Sequence, residues 1–305
     1  MRISDAFKAH PIGFGGGAIS GEGKGYGFGA ISEKDSINLL SEALEKGIKI
    51  FDTAPIYGFG TSEQRLGKAF AKCREEVFIC SKGGVTWDSN KRVDIDISII
   101  GKMLDDSLKN LNTDYIDLYM IHWPDPRTDI RKAMEVLAKA KELGKINHIG
   151  LCNTSLEELS LALEIDNIEA LQSEFNIFNN SVKKDLLDHL KEPIYFMGWG
   201  TLDKGIVSGR VTPDRSFDPF DARSWAPWWK KSSKNQKMEK MKKILIYLKE
   251  KGHTGVELAL GFNQSFPEIS VSLVGARNSA QLNSIFSSLD NLPDQEIIEK
   301  ALELI

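Results

Sequence analysis

The chain has 305 residues, 41% of them hydrophobic and 27% charged, a composition that excludes a disordered or fibrous protein and leaves ample material for a core. A net charge of −4 lacks the positive footprint that generic nucleic-acid binding needs, so no nucleic acid is expected as a partner. No stretch approaches the roughly 18 uncharged apolar residues of a bilayer span, and the opening Met1-Arg2-Ile3-Ser4-Asp5-Ala6 has no apolar signal core, so the expected location is the cytoplasm, with no membrane partner.

Short β-branched runs alternate with helical patterns along the chain, the grammar of βαβ units around a parallel sheet. Strands are predicted at 12–17, 48–53, 77–82, 116–122, 148–153, 170–176, 194–200 and 270–276. Between the first two, Ser32-Glu33-Lys34-Asp35 reads as a helix cap, Ile37, Leu40 and Leu44 keep helical spacing, and Gly47 sits where a helix stops. The cap pattern recurs at 61–64 and 155–158, and helical apolar spacing at Ile97, Ile100, Leu104 and Leu111. Eight strand and helix pairs imply an α/β fold of the closed (β/α)8 TIM-barrel type. No linker or composition shift divides the chain, so one domain is expected over 1–305, interrupted by a lid-like loop at about 206–235 that holds Trp225, Trp228, Trp229 and three prolines.

Cys73, Cys80 and Cys152 form no close-spaced pattern and the five histidines are scattered singly, so no metal is expected. Cys80 and Cys152 fall in strand-like runs and are expected to pack in the core.

Barrel enzymes carry their chemistry at the C-terminal ends of the strands. Here Asp52 ends the second strand, Tyr57 follows in its loop, Lys82 ends the third and His122 the fourth. A lysine and an aspartate facing inward are expected to pair, since either alone would be costly. The protonated lysine beside a phenol is then expected to draw the Tyr57 pKa down from about 10 toward neutrality, as suits a general acid. His122 is expected to be a neutral donor that orients a carbonyl oxygen. Taken singly, the histidine reads at least as well as a core residue, and a structural salt bridge is the lesser alternative for the pair; four such groups at successive strand ends favour chemistry.

The run Phe51-Asp52-Thr53-Ala54-Pro55-Ile56-Tyr57-Gly58-Phe59-Gly60-Thr61-Ser62-Glu63 closely resembles the signature of the aldo-keto reductases, as do Ile79-Cys80-Ser81-Lys82 and Asp117-Leu118-Tyr119-Met120-Ile121-His122-Trp123-Pro124. The resemblance implies a catalytic tetrad of Asp52, Tyr57, Lys82 and His122, and reduction of an aldehyde or ketone by hydride from a reduced nicotinamide. It also implies that Asn153 and Gln172 meet the nicotinamide carboxamide and that Trp199 stacks on its ring, with Gly200 and Leu202 following; separately, Gly15 and Gly16 in the loop after the first strand are expected to allow the cofactor to approach. Family members usually carry Tyr-Ser-Pro-Leu where this chain reads Trp199-Gly200-Thr201-Leu202. Gly275-Ala276-Arg277 and Gln281 resemble the segment that holds the adenosine phosphate, and Arg277 offers donors suited to a 2′-phosphate, hence NADPH rather than NADH. Ser284 and Ile285 replace the Glu-Asn pair that often meets the adenine.

Two other motifs carry less. Gly13-Phe14-Gly15-Gly16-Gly17-Ala18 matches GxGxxA without its strand and helix context, and Tyr247 with Lys251 reproduces YxxxK on a lysine-rich amphipathic helix. Trp87, Trp123, Trp225 and Trp228 are the expected walls of a pocket for a small-molecule carbonyl substrate. An NADP(H)-binding regulatory or redox-sensor protein with little turnover is the alternative reading, and a Schiff-base enzyme using Lys82 is disfavoured because Asp52 would keep the amine charged. Oligomeric state is left open by the sequence.

Overall fold

The computed structural model of the protein describes residues 1–21, 25–88, 91–93 and 95–305, with backbone only at 87, 88 and 91–93. Eight parallel strands close into a barrel in sequence order: β1 (Ile12–Gly15), β2 (Ile50–Asp52), β3 (Phe78–Gly83), β4 (Ile116–Ile121), β5 (Ile146–Cys152), β6 (Ala170–Glu174), β7 (Tyr195–Trp199) and β8 (Val271–Val274), which pairs back to β1 through Ile12 and Ser272. Every predicted strand is present, six of the eight shorter than predicted by one to three residues. Helices cover the outside, and their apolar faces form one large cluster with the outward residues of the strands.

The predicted caps hold with one exception. Ser32 accepts from the Asp35 amide and Ser155 with Glu158 forms a reciprocal capping box, while Gly47 stops its helix at φ 98°. At 61–64 the cap is instead Gly60, at φ 90°, and Thr61 turns its hydroxyl back to the Gly58 carbonyl at 2.7 Å.

A smaller cluster fills the barrel interior with Ile50, Cys80, Leu118, Met120, Ala170, Met197, Val271 and Leu273, closed by Ala6 and Phe7. These two belong to a short helix, Ile3–Ala9, that the sequence reading did not anticipate. Phe7 is 5% exposed and stacks on Tyr195 with ring centroids 4.4 Å apart. Since Phe7 seals the barrel interior, Phe7→Ala is expected to lower unfolding free energy by about 3–5 kcal/mol, read by urea denaturation, without moving the residues at the opposite end.

The segment over 206–235 contains two four-residue helices, Ala222–Trp225 and Pro227–Lys230. Its main chain is tied to the loop after β1, where the Ala222 amide donates to the Gly27 carbonyl at 2.8 Å, and Arg223 reaches the Lys204 carbonyl at 2.7 Å. Among the described residues, no helix is long and apolar enough to cross a membrane, and no group of three or more His, Cys, Asp or Glu could hold a metal ion.

Candidate active site

The C-terminal ends of the strands surround a cavity of about 1260 Å³. Lys82 lies beneath its floor, 0% exposed, and its ammonium donates to Asp52 Oδ1 at 2.5 Å and to the Thr53 carbonyl at 2.9 Å. Gln172 Nε2 donates to the same Asp52 oxygen at 2.8 Å. The carboxylate thus collects a cation and an amide, the arrangement a buried charge requires.

Tyr57 and His122 line the cavity above this pair, their rings edge to face with centroids 6.0 Å apart. The Lys82 ammonium is 5.6 Å from the Tyr57 ring centroid. Neither the Tyr57 hydroxyl nor the His122 ring has a hydrogen-bond partner among the described residues, so both are free to meet an incoming group. Burial, then Lys82, holds the His122 imidazole well below its ordinary range, so it is neutral.

The expected acidification of Tyr57 is corrected by the structure. Burial, followed by the Asp52 carboxylate, pushes its phenol well above the ordinary value of 10.0. The charge on Lys82 is committed to Asp52, and the desolvation of the phenolate outweighs what remains.

Asn153 sits just beyond β5 at φ 55°, a left-handed conformation that asparagine tolerates. Its Nδ2 donates to the His122 carbonyl at 3.0 Å and its Oδ1 accepts from the Trp199 indole at 3.1 Å. Gln172, besides holding Asp52, lies with Oε1 3.4 Å from Cys152 Sγ. Cys80 and Cys152 are buried and Cys73 is partly exposed.

Of the residues expected at the cofactor, Asn153, Gln172, Trp199, Gly200, Leu202, Gly275, Arg277 and Gln281 line the cavity, as do Ser284 and Ile285. Gly16 and Ala276 are not on its wall. A Cβ on Gly16 would meet the Asp52 carbonyl and Ser62 Oγ, each at 2.6 Å, so this glycine permits close packing of the β1 loop on β2, and its neighbours Gly15 and Gly17 face the cavity instead. Ala276 is 1% exposed, packed into the core behind the wall. Trp123 and Trp225, each 43% exposed, stand at the rim, and Trp228 lies deeper. The side chain of Trp87 lies outside the described residues.

Arg277 bonds the Ala30 carbonyl through one terminal nitrogen, while its Nε is buried without a partner among the described residues. Its backbone amide donates to Gln281 Oε1 at 2.9 Å. The described lining carries seven lysines and arginines against three carboxylates, in a protein whose net charge is −4. A basic cleft lined by the Arg277 guanidinium and the Trp199 indole fits a phosphorylated dinucleotide.

Three features escaped the sequence reading. Asp203 and Lys204 follow β7 at φ 39° and 56°, and the Lys204 ammonium pairs with Glu174 while lying 5.4 Å from the Trp199 ring centroid and 5.9 Å from that of Trp228. Asp203 is held by Lys237 at 2.7 Å. Tyr26, from the glycine-rich loop after β1, stands beside Tyr57. The only signal for it was the aromatic alternation Tyr26-Gly27-Phe28.

A closed barrel with paired and unpartnered polar groups at its C-terminal mouth, beside a basic cleft, is an arrangement suited to an enzyme acting with an anionic cofactor. The model of the Aldo/keto reductase family matches residues 11–302. Aldo-keto reductase YhdN of Bacillus subtilis (strain 168) is 31% identical over 97% of this chain and 91% of its own length. The NADH-specific methylglyoxal reductase of Escherichia coli (strain K12) is 30% identical over 67% of each chain. The solved structure of glycerol dehydrogenase AKR11B4 from Gluconobacter oxydans superposes with a TM-score of 0.81 at 26% identity, covering 97% of this chain and 91% of the other. The chain belongs to the aldo/keto reductase family and is an oxidoreductase that acts on carbonyl or alcohol groups with a nicotinamide cofactor.

Proposed function

We propose that the protein reduces an aldehyde or ketone to the alcohol at the expense of NADPH, with Tyr57 as proton donor. The observation that carries this reading is the pair of unpartnered donors, the Tyr57 hydroxyl and the neutral His122 ring, facing each other across the cavity floor. Both can donate to one carbonyl oxygen. His122 orients that oxygen, and Tyr57 delivers the proton as negative charge develops on it. A phenol of raised pKa remains a competent donor here, because an alkoxide is a far stronger base than a phenolate. The Lys82–Asp52 pair holds a cation behind Tyr57 and favours the phenolate left after transfer, which then regains its proton from solvent. Trp199, Asn153 and Gln172 are the residues that would hold the nicotinamide, and Gly275, Arg277 and Gln281 the adenosine phosphate. The reduced nicotinamide supplies the hydride.

The Arg277 guanidinium on the cavity wall favours the cofactor that bears a 2′-phosphate, although the Escherichia coli relative is named NADH-specific. Arg277→Met is therefore expected to weaken NADPH binding by about ten- to a hundred-fold with little effect on NADH, measured by fluorescence titration. NADPH oxidation with a panel of aldehydes and ketones, run beside NADH, tests the whole reading. Tight NADPH binding without turnover of any carbonyl would replace it with a regulatory or sensor role.

A further inference from the structure

Four side-chain hydrogen bonds run end to end from Trp199 to Asp52. The Trp199 indole donates to Asn153 Oδ1 at 3.1 Å, and Asn153 Nδ2 donates to Cys152 Sγ at 3.0 Å. The Cys152 thiol donates to Gln172 Oε1 with 3.4 Å between the heavy atoms, and Gln172 Nε2 donates to Asp52 Oδ1 at 2.8 Å. The same carboxylate oxygen accepts from Lys82. The last link crosses the barrel, since β6 and β2 are not neighbours in the sheet.

Both ends of the chain fix its direction. A carboxylate paired with an ammonium can only accept, so the end of Gln172 that meets Asp52 is the nitrogen, and its oxygen faces the thiol. An indole N–H can only donate, so the end of Asn153 that meets Trp199 is the oxygen. The His122 carbonyl, which can only accept, takes the Nδ2 end at 3.0 Å. The residue between the two amides therefore accepts on one side and must donate on the other. Cys152 can do both, and burial pushes its thiol far above the ordinary range, so it keeps the proton it donates. It is 1% exposed and lies behind the cavity wall, so it acts only through its two neighbours. Successive bonds of one direction polarise and strengthen one another in a buried site.

We propose that Cys152 is a positioning residue whose thiol couples the two halves of the site, the Trp199 face proposed to hold the nicotinamide and the Lys82–Asp52 pair behind Tyr57. It does so by fixing which way the amides of Asn153 and Gln172 point. This rests on the reductase reading above. Filling the core, the role expected from the sequence, needs only the volume of the side chain; coupling needs a group that both accepts and donates.

The test compares Cys152→Ala with Cys152→Ser, both smaller than the native residue, of which only serine can accept and donate. Kd for NADPH is read by fluorescence titration, and kcat by NADPH oxidation with a saturating aldehyde. Alanine is expected to weaken NADPH binding by about three- to ten-fold and to lower kcat by about ten-fold, since it leaves the Gln172 oxygen and an Asn153 N–H each a partner short. Serine is expected to keep both within about three-fold of the wild type. Equal losses in the two variants would mean that Cys152 only fills space and would overturn the proposal. A cycle with Trp199→Phe, which removes the indole N–H and keeps a ring, reads the coupling along the chain. The double variant of Trp199→Phe and Cys152→Ala is expected to lose less NADPH affinity than the product of the two single losses, and losses that multiply would also overturn the proposal. If the wild type binds NADPH and reduces no carbonyl, the reductase reading fails, while the binding comparison still decides the role of Cys152.

Discussion

Tyr57→Phe is expected to bind NADPH as the wild type does and to lose about 10²- to 10⁴-fold in kcat, the usual worth of a positioned general acid. The substitution removes one oxygen that has no hydrogen-bond partner among the described residues and leaves the ring against His122 and Tyr26, so the site keeps its shape. Stopped-flow NADPH oxidation with a saturating aldehyde measures the loss. The pH profile carries the sign of the correction made to Tyr57. Burial raises the phenol above 10.0, so the acid stays protonated through neutral and mildly alkaline pH, and the wild-type rate should show no fall assigned to Tyr57 below that value. The His122 imidazole, held well below 6.5, is already neutral at neutral pH, and its ionisation should not appear there either. A fall in kcat near pH 7 that disappears in Tyr57→Phe would mean that Lys82 acidifies the phenol after all.

The second large effect concerns the pair beneath the floor. Lys82→Met leaves Asp52 buried with only Gln172 as a described hydrogen-bond donor, and the expected loss of unfolding free energy is about 3–5 kcal/mol. Adding Asp52→Asn to the same chain removes the stranded charge and keeps an oxygen for Gln172 Nε2. The double variant should regain most of the stability and none of the activity, because the cation behind Tyr57 is still missing. Urea denaturation beside NADPH oxidation separates the two roles. A double variant no more stable than Lys82→Met would show that the pair is not coupled in the folded protein.

The barrel was legible because its strands are buried on both faces and read as short continuous apolar runs, from Phe51 to Val274. Where the predicted ends overshoot, the extra residues include Thr53, His122 and Asn153, polar groups one position past the strand ends at the mouth, whose amides still bond the neighbouring strand. The helix Ile3–Ala9 was missed because seven residues with two buried side chains carry too little period to read. Four-residue helices within 206–235 are below that limit for the same reason. Asp52, Tyr57, Lys82 and His122, the proposed tetrad, were legible as types at strand ends. The acidity of Tyr57 was not, since it depends on how far Asp52 spends the charge of Lys82 and on how little water reaches the phenol, and both are properties of packing. Of Gly15 and Gly16, both expected beside the cofactor, only Gly15 lines the cavity, because a sequence does not tell which of three successive glycines, Gly15 to Gly17, faces the cleft. Tyr26 lay unnoticed in a glycine-rich stretch whose path back to Tyr57 is set by two main-chain hydrogen bonds.

The plug at Phe7 and the mouth at Tyr57 lie at opposite ends of one barrel, and this separation bears on how such a chain can change over generations. Substitutions that alter the loops after β1 and β7 leave the sealed end intact, so the surface that chooses a substrate can drift while the scaffold persists. The Tyr57 hydroxyl faces the cavity and ties no element of the fold together, so a lineage that abandoned the reaction would be free to lose it. Loss of that oxygen is then a mark of a barrel kept for its shape alone.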